Sequence, residues 1–284
     1  MRLMKNSLTW SFGIITAIFT FVPEAVFAKF AWVSKEAVEG CGWTSYIDVQ
    51  SMNTIISRLI CFLLVWGAVS FVYFLFLKLR IWTTIKGRNY SIRIEYGNIL
   101  KKRRCKRVIS FDECYTTKVG SNPEDINPGS ICGQYLQSRS RLNIPQLIAE
   151  AGVEPEQSKS KFRNQTRYAS GTIVPNGDDL LLAFAKLDKR GKGRFFSRDE
   201  YLACLDRLWK ELEYYYAEKD VCVPILGAGT TSFDGGEGAS IPQQDLLDLM
   251  IWSYRMSSHK IKAPHKLRII CRKNDEFSLD DICK

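Results

Sequence analysis

Hydrophobic positions form one long unbroken run near the start of the chain and recur with the periods of strands and helices after it. The run Leu59–Leu77 holds nineteen residues without a charged side chain. As an α-helix it would be about 28 Å long, close to the roughly 30 Å hydrocarbon thickness of a bilayer. Because a buried core helix of this length normally carries a polar stripe, the pattern favours a transmembrane helix.

A second apolar segment lies ahead of this run and begins near Leu8. It predicts a first membrane helix that is kinked or ended near Pro23. The alternative is a cleaved secretory signal, since residues 26–28 resemble a cleavage site. We favour the retained helix because a second apolar span follows closely. Both interpretations leave the short stretch from about Lys29 to Asn53 outside the cell.

The later two-thirds of the chain alternates between strand and helix patterns, which predicts a mixed α/β fold. The expected strands cover residues 90–95, 107–111, 171–174, 179–188, 220–226 and 266–271, and the expected helices cover residues 143–152, 198–212 and a segment with Ser240 as its N-cap and Pro242 in its first turn. Pro175-Asn-Gly177 predicts a tight hairpin turn. Ser197 and Glu200 form a capping-box pattern. We therefore expect two domains, residues 1–83 with two transmembrane helices and a short external loop, and residues 84–284 as a mixed α/β domain.

The charge of the chain is concentrated in one belt. Residues 78–107 hold eleven Lys and Arg against the single acid Glu95, so 11 − 1 gives +10, which equals the net charge of the whole protein. Basic residues beside a membrane span mark its cytoplasmic end and attract anionic lipid heads. We therefore expect a multi-pass protein of the inner membrane that contacts lipid and does not bind nucleic acid.

Cysteine and histidine usage gives no sign of a metal centre or a catalytic site. The nine cysteines include no C-x-x-C pair, and the chain has two histidines, His259 and His265. Zinc ribbons and disulfide scaffolds are therefore disfavoured, and scattered free thiols fit a reducing cytosol. No nucleophile or metalloprotease motif occurs. We expect no metal, no cofactor and no enzymatic activity.

A glycine-rich loop follows the expected strand 220–226. Gly227-Ala-Gly-Thr-Thr231 lacks the Lys of a phosphate-binding P-loop, and Ser232 stands where a dinucleotide fingerprint has its third Gly. Two interpretations stay open. The backbone N–H groups could form a nest for a pyrophosphate, or the segment could be a tight turn that needs positive φ.

Other segments resemble parts of a known family. Gly97-Asn98-Ile99 resembles the G-D-I of macro domains, Val108–Asp112 lies where their V-N-x-A-N strand would be, and Ser130–Tyr135 and Gly227–Thr231 resemble their two phosphate loops. The macro domain is an ADP-ribose-binding α/β/α fold. Residues 171–173, 178–188, 195–212, 223–232 and the helix from Pro242 resemble, more closely, the divergent macro-like domain of the ThsA effectors of Thoeris antiphage defence. Two membrane segments ahead of such a domain resemble the layout of the type II effector.

The resemblance implies a three-layer macro-like domain with a mixed central sheet, preceded by an α-helical transmembrane hairpin. The ligand would be an ADP-ribose derivative of the histidine-ADP-ribose type, made from NAD by a TIR-domain partner. Its binding would drive homo-oligomerisation and membrane disruption. The residues implied as ligand contacts are Asn98, Ile99, Asp112, Ile131, Cys132, Gly133, Gln134, Gly227, Ala228, Gly229, Thr230 and Thr231.

Departures from the macro pattern separate the functional alternatives. Asn98 replaces the Asp that binds the adenine amino group, and Phe111-Asp-Glu113 replaces the asparagines of de-ADP-ribosylating macro enzymes. We therefore expect binding without hydrolysis, with Asp112 and Glu113 either touching ligand or forming a solvated strand end. The alternatives are a membrane-anchored ADP-ribosyl hydrolase, an ADP-ribose reader, and a tethered scaffold with an empty fold. A bulky side chain at Gly227 or Gly229 is expected to abolish the response without unfolding the domain.

Overall fold

The computed structural model describes most of the chain and divides it into two compact units. The described residues are 2–27, 29–30, 32–33, 48–79, 81–122, 124–139, 141–195, 197–229, 231–233, 241–272, 278–279 and 282. The first unit is Met1–Arg80 and the second is Ile81–Lys284. Each unit is described below by itself.

The first unit is helical. Helix α1 spans Arg2–Phe21, a single turn α2 spans Glu24–Phe27, and α3 spans Val49–Leu79. The end of α1 just before Pro23 agrees with the sequence, because proline disfavours helical geometry in the residue ahead of it. Among the described residues, one helix is long and apolar enough to cross a membrane, over Val49–Phe76 of α3. The apolar part of α1 is shorter, so the second span of the expected hairpin stays a prediction.

Helices α1 and α3 pack side by side in opposite directions. The rings of Phe12 and Phe62 have centroids 5.5 Å apart. Further along α1, the Phe19 ring lies 5.5 Å from the Arg58 guanidinium, which is earlier in α3. Because residues later in α1 contact residues earlier in α3, the two helices are antiparallel.

The second unit contains nine described strands and four described α-helices. The strands are β1 (Trp82–Lys86), β2 (Ser91–Tyr96), β3 (Cys105–Asp112), β4 (Ile173–Asn176), β5 (Asp179–Leu187), β6 (Gly193–Phe195), β7 (Asp220–Pro224), β8 (Ser232–Phe233) and β9 (Leu267–Cys271). The helices are α4 (Ile131–Gln137), α5 (Ile144–Glu150), α6 (Arg198–Tyr215) and α7 (Gln243–Met256), and a 3₁₀ turn covers Ile99–Lys101.

These strands form one mixed sheet in the order β1-β2-β9-β7-β3-β5-β6-β8, with β4 paired to β5. The central strands β2, β9, β7, β3 and β5 are parallel to one another. The strands β1, β4 and β6 are antiparallel to the strand beside them. The antiparallel pairing of β4 with β5 confirms the hairpin that Pro175-Asn-Gly177 predicts.

Helices cover both faces of the sheet, so the domain has the expected three layers. Along β5, Leu180 and Leu182 belong to the core formed with α6 and α7, whereas Leu181 and Ala183 belong to a separate core formed with α4 and α5. This alternation follows from the two-residue period of a strand. Parallel strands buried on both faces read as continuous apolar runs, which is why β5 carries so few polar positions.

Helix boundaries agree with the capping signals at one site and differ at another. The Ser197 hydroxyl accepts the N–H of Glu200 at 3.1 Å and begins α6, as predicted. The Glu200 carboxylate also accepts a hydrogen bond from Lys186 at 2.6 Å. The prediction for α7 is wrong in detail, since Pro242 is the N-cap residue and the helix starts at Gln243. Ser240 lies outside the described residues.

Candidate functional site

The carboxyl ends of the parallel strands bring the sequence-predicted loops to one edge of the sheet. Residues 97–99 follow β2, Asp112 ends β3, and residues 227–229 follow β7. Strands β3 and β7 are neighbours. From β3 the chain runs to its neighbour β5 through α4 and α5, which lie on one face of the sheet. From β7 it runs to β9, the neighbour of β7 on the side away from β3, through α7 on the other face. Such a switch point is where open α/β sheets bind ligands.

The turn after β2 is held by its own side chains. The Asn98 oxygen accepts the N–H of Leu100 at 2.9 Å and caps the 3₁₀ turn. Ile99 is buried against Ile270 and a pair of cysteines, so its side chain is part of the core. Asn98 is exposed and keeps a second lone pair on its oxygen for a ligand. Ile99 can meet a ligand only through its backbone.

The cysteines beneath this turn are Cys105 of β3 and Cys222 of β7, whose Sγ atoms lie 3.3 Å apart. The hydrogen bond from Cys222, with Arg268 and Arg107 nearby, lowers the pKa of Cys105 to about 7. Both are free thiols. The close contact joins the two strands directly under Ile99 and fixes the floor of the turn.

Asp112 ends β3 at an irregularity in the pairing with β5. One carboxylate oxygen accepts the N–H groups of Cys114 at 2.8 Å and Thr116 at 3.2 Å. Burial raises the pKa of this carboxyl group, and the hydrogen bonds from Thr116 lower it by a smaller amount. Asp112 therefore shapes its own turn.

The predicted first phosphate loop is the start of helix α4. The Ser130 hydroxyl accepts the N–H of Gly133 at 2.9 Å and caps the helix. A Cβ at Gly133 would collide with the backbone oxygen of Asn127, so glycine is required there for close approach. Cys132 is buried in the core, and the burial raises its pKa.

The other two predicted contacts in α4 also have structural roles. Ile131 packs against the cluster that contains Ile99 and Cys222. The Gln134 side chain donates to the backbone oxygen of Gly129 at 3.0 Å. A ligand would therefore meet this segment through the N–H groups of Ile131 and Cys132, because the N–H of Gly133 already donates to Ser130.

The loop after β7 divides into a fixed part and an open part. Leu226 is buried, and its carbonyl accepts the Tyr201 hydroxyl at 3.1 Å. Gly227 has φ +88°, and a Cβ there would lie 2.9 Å from the Phe233 ring. Ala228 and Gly229 are exposed, and a Cβ at Gly229 would meet nothing within 4 Å. Thr231 is half-buried, and Thr230 lies outside the described residues.

The described residues hold no group of three or more His, Cys, Asp or Glu side chains that could bind a metal ion. His259 pairs with Glu213, with the Nδ1 and Oε2 atoms 2.7 Å apart, and is half-buried. His265 lies beside the Tyr216 ring. Both histidines thus have a neighbouring side chain that helps to fix the ring.

Comparison with known proteins decides the family. Residues 92–272 match the model of the family described as Thoeris protein ThsA, Macro domain, and this span is more than half of the chain. The chain belongs to this family. A curated relative is the Thoeris protein ThsA of Bacillus amyloliquefaciens (strain Y2), which is 28% identical over 247 residues, covering 83% of this chain and 80% of the relative.

Solved macrodomains also align with the structure. A mutant macrodomain of Oceanobacillus iheyensis aligns with a TM-score of 0.41 and 9% identity, covering 70% of this chain and 93% of that one. The macrodomain of Thermus aquaticus DarG aligns with a TM-score of 0.34 and 13% identity, covering 64% and 98%. Because both scores are below 0.5, the assignment to the ThsA macro domain family rests on the sequence match.

Sequence reasoning missed several features of this ThsA-type macro domain. It did not predict α4 as a helix, and it did not predict that β8 carries Phe233 back onto Gly227. The expectation that a bulky residue at Gly227 would spare the fold is wrong, because of the positive φ and the Phe233 ring. A capping Ser130 three residues before Gly133 was a usable signal for α4. No local signal reveals the Phe233 contact.

We predict that Gly227→Val destabilises the fold and that Gly229→Val does not. An L side chain at φ +88° that also collides with Phe233 should cost about 2 kcal/mol, which lowers the melting temperature by roughly 4–8 °C. Gly229 has open space and no positive φ, so its variant should melt within about 1 °C of the wild type. Thermal unfolding of both variants by circular dichroism measures this. Equal melting temperatures would contradict the assigned roles.

Proposed function

We propose that this chain is a membrane effector of antiphage defence whose macro domain binds an ADP-ribose derivative. The signal would be of the histidine-ADP-ribose type and would come from a TIR-domain partner that consumes NAD. The observation that carries the proposal is membership of the ThsA macro domain family over residues 92–272, together with three predicted loops at one switch point of the sheet. The curated relative is a Thoeris protein, and we assign the defence role to this chain because of its similarity to that relative.

The loops offer the groups that an adenosine diphosphate requires. The exposed residues Ala228 and Gly229 would let a pyrophosphate approach the backbone closely, because their side chains are only a methyl group and a hydrogen atom. The first turn of α4 presents N–H groups with a favourable dipole for anions. The Asn98 oxygen can accept from the adenine amino group, with less charge assistance than the usual aspartate gives.

Ligand binding would act by changing the assembly of the membrane helices. A ligand shifts such an equilibrium only by its difference in affinity for the two states. Apolar side chains on the outside of α1 and α3, among them Trp10, Phe21, Leu64 and Phe76, are exposed within the unit and suit lipid or a second copy. We place the protein in the inner membrane as a multi-pass chain, with the macro domain, which carries most of the basic belt, in the cytoplasm.

We predict that Gly229→Glu weakens binding of ADP-ribose at least tenfold without affecting the fold. A carboxylate placed beside a pyrophosphate adds repulsion of several kcal/mol, and each 1.4 kcal/mol is about tenfold in affinity. Calorimetry of the full chain in detergent micelles should show at least a tenfold loss. Gly229→Ala, which adds a methyl group in open space, should bind within about twofold of the wild type. Failure of the wild type to bind ADP-ribose or any derivative would refute the proposal.

Ligand should also increase the size of the particle. In the same micelles, we expect mass photometry to show a larger assembly on addition of a histidine-linked ADP-ribose. The reason is that a signal with a higher affinity for the assembled state shifts the population toward it. The Gly229→Glu variant serves as the control and should not change. If the protein binds the ligand to saturation but the particle mass stays constant, the receptor role is supported and the oligomerisation step is wrong.

The second candidate is a membrane-anchored ADP-ribosyl hydrolase or reader. It is favoured by one observation, the buried Asp112 with raised pKa at the carboxyl edge, since such groups serve as general acids or bases. A hydrolase would release ADP-ribose from a modified protein and lose that activity in Asp112→Asn. We expect no release by the wild type and retained ligand binding by the variant. Measured turnover that depends on Asp112 would replace our proposal.

A further inference from the structure

The outer face of helix α7 carries an apolar patch. Trp252 and Met256 are 57% and 70% exposed, and they lie one helical turn apart. Among the described residues of the second unit, the other exposed large apolar side chains are Ile81, Trp82 and Tyr214, which lie outside α7. Two exposed side chains at helical spacing form one patch, unlike apolar residues that are scattered singly over a surface.

Charged residues flank this patch on the same face of the helix. Asp245 and Asp248 precede Trp252, Arg255 follows it, and all three charged residues are exposed. Because positions three, four or seven residues apart share a face of a helix, these side chains line up with Trp252. The opposite face of α7 is buried in the core, through Leu246, Leu247, Met250, Ile251 and Tyr254. The outer face therefore has an acidic end, an apolar centre and a basic end.

Such a face is complementary to a second copy of itself. When two identical helices pack antiparallel about a twofold axis, the acidic end of each meets the basic end of the other. With the axis near Trp252, Asp248 lies four residues before the axis and Arg255 of the second copy lies three residues after it. A rise of 1.5 Å per residue leaves these two positions about 1.5 Å apart along the helix. Their side chains can therefore form an ion pair on each side of the two indole rings.

We propose that the outer face of α7 is the surface through which two copies of this chain associate, with Trp252 at the centre and an Asp248–Arg255 ion pair on each side. The inference deepens the assembly step of the proposed function and rests on it. Parallel packing of the two helices would place like charges against each other, which is unfavourable. The charges therefore select the antiparallel, twofold arrangement.

The inner face of α7 connects this surface to the candidate phosphate loop. The Met250 Sδ atom accepts the N–H of Leu226, which begins the loop, at 3.4 Å. A methyl carbon of Leu246 lies 3.5 Å from the position that a Cβ of Gly227 would take. A ligand that changes the position of this loop would act on the helix through these two contacts. Ligand binding and assembly would thus be coupled through a single helix.

The small size of the surface suits a contact that a ligand regulates. Helix α7 has 14 residues, so it is about 21 Å long and about 10 Å wide. One such face is smaller than the roughly 800 Å² that each partner contributes to a standard interface. The contact is therefore weak between free molecules. Anchoring of both copies in one membrane raises their effective concentration, which allows a weak contact to form.

The test is a charge exchange, measured by mass photometry of the full chain in detergent micelles with saturating histidine-linked ADP-ribose. Asp248→Arg and Arg255→Asp should each lower the assembled fraction at least fivefold, because each variant places like charges against each other. The double variant should assemble within twofold of the wild type, since it exchanges the two ends and keeps the complementarity. Asp206→Arg, a charge reversal at an exposed position of α6, is the matched control and should assemble normally.

Two further measurements separate the surface from the fold and from the receptor site. The melting temperature of each of these variants should lie within about 2 °C of the wild type, since the changed side chains are exposed. Calorimetry should give ligand affinities within twofold of the wild type, because none of the changed residues lies in the candidate ligand loops.

Loss of assembly in both single variants, with recovery in the double variant, assigns the surface. Normal assembly of the single variants would overturn the proposal and leave the assembly step in place, and the outer face of α7 would then serve a different partner or solvent. Loss without recovery in the double variant would also overturn it, because the loss would not arise from the Asp248–Arg255 pair. If the wild type does not assemble, the surface and the assembly step are both wrong, and calorimetry alone decides the receptor role.

Discussion

Three backbone pairings between β3 and β7, from Cys105 with Asp220 to Arg107 with Cys222, join the two halves of the sheet. The strands β2, β9 and β7 lie on one side of this junction, and β3 and β5 lie on the other. Because the pairing is parallel, both strands end at the same edge, and the loops that follow them diverge there. Every candidate ligand contact depends on this geometry, and the Cys105–Cys222 contact reinforces it.

A buried carboxylate positions the turn that carries Asn98. The Oε1 atom of Glu95 lies 2.6 Å from a nitrogen of Lys102 and 2.6 Å from a nitrogen of Arg268, which link the end of the turn and β9 to the same group. Burial opposes the charged form, yet these bonds are strong enough to lower the pKa of Glu95. The carboxyl edge is therefore held by paired charge at Glu95 on the β2 side of the junction. At the end of β3, the buried Glu113 pairs with Arg167 in the same way.

The sequence predicts those parts of the fold that local pattern determines. The apolar run of β5, the alternation in β2 and the Ser197 cap each depend on neighbours within a few residues, and each was found. The short strands β6 and β8 were not predicted, because they contain three and two residues and their pairing joins segments far apart in the chain. For the site, the sequence predicts which segments would contact a ligand, and the structure brings residues 97–99, 112 and 227–229 to one edge of the sheet. The structural roles of individual residues were not predicted, since Ile99 and Cys132 are held by contacts that only the folded chain creates.

The stretch that carries Gly227 and Gly229 is fastened at both of its ends. Leu226 is bonded to Tyr201, and Phe233 stacks on Phe195 with ring centroids 5.8 Å apart. Freezing one backbone residue costs about 1–2 kcal/mol of conformational entropy, and a binding partner normally bears that cost for every residue it orders. In this protein, the entropy cost of ordering Leu226 and Phe233 is already met when the domain folds. A ligand bound at this stretch would therefore have to order fewer residues than in a loop without such anchors.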